Sequence, residues 1–368
     1  MEKLVFLSTS LPLSNNRIDD FLSRQQRYFQ FYWGVEEVGC IQFVSLNGEI
    51  VLEKHRGKNS FTRQISQGKL RALKSLFISS PRSLFSSQSP GFDGVLALFL
   101  GKLFKVPVII QVHFDPMSTV FSRYRRILHQ FVLNRAQSVR SVTDISISGM
   151  NFGFRNFEII PVPFDLPDQI QSSEKFEKNV DLIFFGRMHR EKGVKFLVEL
   201  LENFKESSHI RIVCVGDGPL GHLLRDYLHQ QPRNVDLQLI KWVDRQSLFS
   251  LLLRSKLHIN VSPSESYGLS FIEAAFCGVP TLATPTVGAK NLASFIPSLK
   301  VVNTFSVDDF YCDLNNLLLN EKELHLLSNL VPDREFLISS FSDFTSWPNF
   351  IKKVIKEDRK SSEVPFNE

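Results

Sequence analysis

The stretch Ser262–Pro280, SPSESYGLSFIEAAFCGVP, decides how the rest of this 368-residue chain is read. It follows an apolar run, Leu257 to Val261, that has strand character, and opens on a polar turn, Ser262-Pro263-Ser264. From Tyr267 to Phe276 the apolar residues suit a helix, and Gly278 and Pro280 supply its stop. The stretch is therefore expected to be a strand, a loop and a helix, with the loop at the end of a sheet. Two carboxylates frame that loop: Glu265 inside it and Glu273 on the helix. Gly268 lies between them, where a backbone can come close to a ligand, and Leu269 follows it. The first N–H groups of a helix have no partner inside it and favour an anion. Donors for a phosphate beside carboxylates for hydroxyls suit a sugar nucleotide.

Length and composition set bounds. A chain of this length is expected to fold as two domains, and its 34 Phe residues are expected to fill core positions. No apolar run is long enough to span a membrane. The first residues, MEKLVFLSTSLPLSNN, hold a short apolar run without a basic leader or a cleavage site, and read as a first strand. Cys40, Cys214, Cys277 and Cys312 form no CxxC pair and no metal spacing. No metal is expected, and a reduced, cytoplasmic setting follows.

The net charge of +5 is uneven: residues 1–170 carry +7 and the remainder −2. A basic first half suits an anionic membrane surface, a lipid-diphosphate acceptor or nucleic acid, or is simply a solvated face. Within it, Lys54 to Lys74 holds Lys and Arg with no acid. Phe61, Ile65, Leu70, Leu73 and Phe77 would make an apolar stripe on a helix there, turned to the core or to a membrane surface.

Three motifs carry a family resemblance. Glu265 and Glu273 stand in S-x-x-E-x-x-G-L-x-x-x-E-A-x-x-x-G-x-P, which resembles the glutamate signature of retaining glycosyltransferases of family 4, the glycosyl transferases group 1, which have the GT-B fold. Gly186 to Gly193, GRMHREKG, resembles the family's G-R-x-x-x-x-K-G, placed between an expected strand, Val180 to Phe185, and an expected helix, Val194 to Phe204. Pro90 to Asp115, PGFDGVLALFLGKLFKVPVIIQVHFD, resembles the family stretch in which a histidine follows a strand.

The resemblance implies an α/β chain of two Rossmann-like domains facing a central cleft. They are expected over 1–168, the acceptor side, with a terminal helix at 345–360 crossing back to it, and over 169–344, the nucleotide-sugar side. It gives Arg187 and Lys192 to the donor diphosphate, Glu273 to the ribose, and Glu265 and His113 to the donor sugar. Gly186, Gly216, Gly268 and Leu269 line the donor site, and Trp242 and Val243 sit where the base is held. Fixed cations beside a leaving diphosphate stabilise its growing charge, so no metal or other cofactor is then needed.

The family's Gly-Gly loop after the first strand is replaced here by Leu11 to Arg17. Asn16 and Arg17 are the acceptor-side candidates, with Asp115, which could instead orient His113 or cap the next element. Pro161-Val162-Pro163-Phe164-Asp165 stands where the family has Pro-Asn-Gly-Val-Asp. The implied function is transfer of a sugar, a hexosyl transfer, from a nucleoside-diphosphate sugar to a saccharide or lipid-linked saccharide. The setting would be cell-surface polysaccharide or glycolipid synthesis, in the cytoplasm or at the inner face of a membrane. A catalytically silent GT-B binding subunit and a GT-B sugar-nucleotide epimerase stay open beside it. A phosphorylase would be expected to show a pyridoxal phosphate lysine motif, which is not seen. Nucleic-acid binding rests on the basic half alone and is not expected.

Overall fold

The computed structural model describes residues 3–7, 40–45, 48–54, 61–67, 83–117, 121–143, 154, 156–162, 177–206, 209–230, 235–343 and 345–363. The chain divides into two compact units, Met1–Pro161 with Asp343–Glu368, and Val162–Ser342.

The first unit is built on an eight-stranded sheet ordered β4-β3-β2-β1-β5-β6-β7-β8. Its strands are β1 (Lys3–Leu7), β2 (Cys40–Ser45), β3 (Gly48–Lys54), β4 (Phe61–Gln67), β5 (Ser83–Ser87), β6 (Val108–Val112), β7 (Ser138–Ser141) and β8 (Asn156–Ile159). Helix α1 (Phe92–Phe104) leads from β5 to β6, and α2 (Arg123–Leu133) precedes β7. The strands from β1 outward to β8 pair in parallel, as does β2 on β1. A strand with helices over both faces is buried on both sides and reads as an unbroken apolar run. In β1, Leu4 and Phe6 enter one core cluster and Val5 and Leu7 the other.

The sequence places Lys54 to Lys74 on a helix, but residues 61–67 are the edge strand β4, antiparallel to β3 with Ile65 opposite Ile50. An apolar/polar pattern over a short segment does not separate the two periods. Here the open edge of β3 takes the segment as an added strand. The asparagine-glycine signal at Asn47-Gly48 fits the antiparallel β2–β3 pairing, in which Ser45 faces Gly48.

The second unit has a six-stranded, all-parallel sheet ordered β11-β10-β9-β12-β13-β14. Its strands are β9 (Val180–Phe185), β10 (Ile210–Val215), β11 (Val235–Ile240), β12 (Ser255–Asn260), β13 (Thr281–Ala283) and β14 (Leu299–Val301). Between them lie α3 (Val194–Glu202), α4 (Gly221–His229), α5 (Arg245–Leu253), α6 (Leu269–Phe276) and α7 (Val287–Leu292). In chain order this is the 3-2-1-4-5-6 arrangement of a dinucleotide-binding sheet, whose strand order reverses between β9 and β12.

Four helices close the chain: α8 (Val307–Leu319), α9 (Glu321–Asn329), α10 (Arg334–Phe341) and α11 (Ser346–Glu363). A single helix expected over Leu314 to Leu330 is broken at Asn320, whose side chain accepts the Glu323 N–H at 3.2 Å and starts α9. The helix expected over Phe336 to Lys356 is likewise two, because Asp343 accepts from the N–H groups of Thr345 and Ser346 and sets a new start. Pro348 falls in the first turn of α11, where no N–H partner is needed. Helix α11 thus takes up the expected 345–360 from Ser346 and runs on to Glu363. Trp347, Phe350, Ile351, Val354 and Ile355 join the core cluster of Leu4, Phe6 and Ile41 in the first unit. No helix among the described residues is long and apolar enough to cross a membrane.

Trp347 is 2% exposed. Truncating a buried aromatic to alanine costs about 3–5 kcal/mol. Trp347→Ala should therefore lower the calorimetric transition of the first unit and spare that of the second; two unmoved transitions would show that α11 contributes little to that core.

Candidate functional site

The loops leaving β9 and β12 meet where the second sheet's strand order reverses, the place where sheets of this type bind ligands. From β9 come Gly186, Arg187 and a 3₁₀ turn, Arg190–Lys192, ending at Gly193. From β12 comes the loop carrying Glu265. Lys192 Nζ donates to Glu265 Oε2, a half-buried ion pair that joins the two loops. The lysine stem passes over Gly186, whose absent side chain would sit 3.7 Å from Lys192 Cγ and Cδ.

Glycines let these loops nest. Gly193 has φ +71° and a Cβ there would lie 1.9 Å from the Val261 carbonyl; one on Gly216, at φ +151°, would lie 1.8 Å from that of Gly186. Gly268, where the sequence places a close backbone approach to a ligand, has φ +83° and a virtual Cβ 2.4 Å from the Phe271 ring, so the turn itself calls for glycine. It caps α6 without a side-chain partner, and Leu269 is the first helical residue. The Gly288 N–H donates to the Glu265 carbonyl at 2.7 Å and fixes the backbone from which that carboxylate projects.

Arg187 is exposed and pairs with Glu191 at 3.3 Å. Glu273 faces Arg245 Nη2 across 3.8 Å, a partner on α5 that no sequence motif marked. Trp242, 65% exposed, and Val243 follow β11. Sequence reasoning also passed over His258, whose only sign was a ring in the apolar strand β12. It is buried, its Nδ1 lies 3.0 Å from Thr281 Oγ1, and its ring is tilted against Phe185 with centroids 4.7 Å apart. Its Nε2 is sealed, with no hydrogen-bond partner among the described residues. Burial, and then the charge of Lys192, holds its pKa down at about 3.

His113 and Asp115 belong to the first unit, just past the end of β6. His113 Nε2 lies 3.1 Å from Gln111 Oε1. Burial, then the Arg140 charge, depresses its pKa to about 3. Asp115 Oδ1 accepts the Met117 N–H at 2.9 Å and closes a turn two residues on. Asn16 and Arg17 lie outside the described residues, as do the stretch Leu11 to Arg17 around them and residues 163–165. The structure thus brings Gly186, Lys192, Gly216, Gly268 and Glu265 into one set of interlocked loops.

The comparisons with known proteins agree with this arrangement. Residues 165–329 match the glycosyl transferases group 1 family.

The second unit is a group 1 glycosyltransferase domain.

The 2-deoxystreptamine N-acetyl-D-glucosaminyltransferase of Niallia circulans is 20% identical over 171 residues, 46% of this chain and 43% of the relative. The chain spans less than half the length of the curated relatives it matches. Sucrose-phosphate synthase of Thermosynechococcus elongatus superimposes with a TM-score of 0.71 at 12% identity, over 98% of this chain and 100% of that one. Anabaena HepE, solved with UDP and glucose, gives 0.69 at 15% identity over 97% and 100%. These likenesses give the fold, the two Rossmann-like α/β units of GT-B enzymes.

His258 gives the glycosyltransferase domain a pH signature. The unfolded chain takes up a proton below the ordinary histidine pKa of 6.5, while the folded ring refuses it down to about 3. Stability therefore falls as pH drops through that window, by up to about 1.4 kcal/mol per pH unit. In His258→Gln the fall in stability from pH 6.5 to 5 should be shallower in urea titrations of the second unit; an equal slope would show that the folded ring protonates freely.

Proposed function

We propose that the chain is a metal-independent, retaining glycosyltransferase of family 4. It moves a hexosyl group from a nucleoside-diphosphate sugar to a hydroxyl of a saccharide or lipid-linked saccharide. The observation that carries this reading is the Lys192–Glu265 pair at the reversal of the second sheet, above the bare backbone of Gly186. An ammonium group has three donors. With one on Glu265, the others are free to take diphosphate oxygens, and Lys192 then links the leaving group to the carboxylate that orients the sugar. The exposed Arg187 adds a second cation, and the uncapped start of α6 adds N–H groups that favour an anion.

In the transfer, the bond between the anomeric carbon and the phosphate oxygen breaks, and the acceptor hydroxyl oxygen bonds to that carbon on the same face. The hydroxyl proton passes to the departing phosphate oxygen. Arg187 and Lys192 stabilise the charge that gathers there, and as fixed charges they do so without reorganising. Glu273, steadied by Arg245, takes the ribose hydroxyls, and Trp242 and Val243 border the base. Glu265 and His113 orient the donor sugar, while Asp115, Asn16 and Arg17 serve the acceptor side. The basic character of residues 1–170 supports an anionic acceptor, lipid-linked or at a membrane surface, and a place in polysaccharide or glycolipid synthesis.

Because HepE was solved with UDP, UDP is the first nucleotide to test. A hydrogen bond to a charged group contributes about 1.5–3 kcal/mol, so Lys192→Ala should weaken nucleotide binding about tenfold or more in metal-free calorimetry. Folded wild-type protein that binds none of UDP, GDP and ADP would remove this reading.

A further inference from the structure

The first unit contains a hydrogen-bonded chain that no motif announces and whose polarity can be read end to end. Arg140, on β7, is 4% exposed and Gln111, on β6, is 2% exposed. Arg140 Nε donates to the Ile160 carbonyl at 3.0 Å, Nη2 to the Pro161 carbonyl at 3.0 Å, and Nη1 to Gln111 Oε1 at 2.9 Å. Its guanidinium also lies 4.7 Å from the centroid of Trp347, so its position is held from several sides. A guanidinium has donors only. The amide atom that faces it must therefore be oxygen, which leaves the Gln111 nitrogen to donate to Ser86 Oγ at 2.9 Å.

His113 Nε2 lies 3.1 Å from that same oxygen. An amide oxygen only accepts, so Nε2 must carry the hydrogen. A neutral imidazole has one N–H, and Nδ1 is then bare. From the geometry we infer that Gln111 and Arg140 are positioning residues that lock His113 as its uncharged Nε2–H tautomer, leaving Nδ1 an obligate hydrogen-bond acceptor.

The electrostatics point the same way. Burial and the Arg140 charge both oppose a second proton on the ring. Gln111 and Ser86, which face the chain from β6 and β5, are neutral, and Asp115 Oδ1 is engaged with the Met117 N–H. His113 Nδ1 has no hydrogen-bond partner among the described residues. Across the ordinary working range of pH the ring is then neither a general acid nor a cation. It accepts from a hydroxyl or an amide N–H and disfavours a carbonyl or carboxylate oxygen at the same place. The tautomer stands on the first unit's own geometry. That its partner is a sugar hydroxyl rests on the transferase reading above.

The test uses the full chain labelled with ¹⁵N-histidine, with the His113 signals assigned from their loss in His113→Gln. Long-range ¹H–¹⁵N correlation at pH 7 should show a protonated Nε2 and a bare Nδ1, unchanged down to pH 5. A protonated Nδ1, or an imidazolium appearing near pH 6.5, would overturn the inference. In Gln111→Leu the ring should become a mixture of tautomers; a pure Nε2–H ring there would remove Gln111 as the positioning residue. Should that variant fail to fold, Gln111→Glu keeps an acceptor toward the ring and adds a negative charge. It should hold the Nε2–H tautomer and bring the titration up into the range measured, and no such rise would count against the Arg140–Gln111–His113 chain. UDP calorimetry on the same samples separates the two readings: a locked tautomer in wild-type protein that binds no nucleotide would sink the transferase reading alone.

Discussion

One ion pair ties the second unit's sequence to its geometry. Lys192 and Glu265 are 73 residues apart in the chain, yet they meet because a parallel sheet that reverses its strand order sets the ends of β9 and β12 side by side. Everything nearby accommodates that meeting. The lysine stem lies over Gly186, Gly193 lets the turn press on Val261, and Gly216 lets the next loop press on Gly186. A side chain at Gly193 or Gly216 would push apart the loops that carry the pair. The charges are only partly exposed, so each needs the other while no ligand is present. On the proposed function, an arriving diphosphate would find a lysine already oriented, with a correspondingly small loss of side-chain freedom on binding.

Much of the second unit was legible in the sequence because its strands are buried on both faces. Val180–Phe185 and Ile210–Val215 are nearly unbroken apolar runs, and a glycine follows each. The motif residues were legible for a related reason: loops that nest at van der Waals distance tolerate few residue types, so they leave a pattern. What escaped notice has a common cause. Arg245, His258 and Arg140 act through partners far away in the chain, and one polar residue in an apolar strand carries no sign of which neighbour it will meet. The edge strand β4 was misplaced because its pattern is satisfied by either period, and the open edge of β3 decided the matter. The breaks at Asn320 and Asp343 depend on single side chains capping a helix start, a signal easily lost in a long periodic stretch.

The first unit shows how a buried charge can be put to use. Arg140 is held by two carbonyls, an amide and an aromatic face, each of which suits a cation. That arrangement satisfies the guanidinium and also imposes a direction on the neighbouring amide. Direction is what a neutral histidine lacks by itself, because its two nitrogens exchange roles at little cost. The same field that disfavours protonation of His113 is thus one end of a structural network that reaches the residues just past β8 and the start of α11.

The first unit is also discontinuous, and this bears on how the protein is made. The cluster that packs Leu4, Phe6 and Ile41 is completed by Trp347, Phe350, Ile351, Val354 and Ile355. On the ribosome those last residues emerge only after the whole of the second unit has been synthesised. Domains generally fold in the order of their synthesis, but here the sheet that begins the chain must wait with one face open. The second unit, continuous from Val162 to Ser342, has its full core available first. The nascent first unit therefore presents bare apolar surface while the second unit is translated, the kind of surface that chaperones bind.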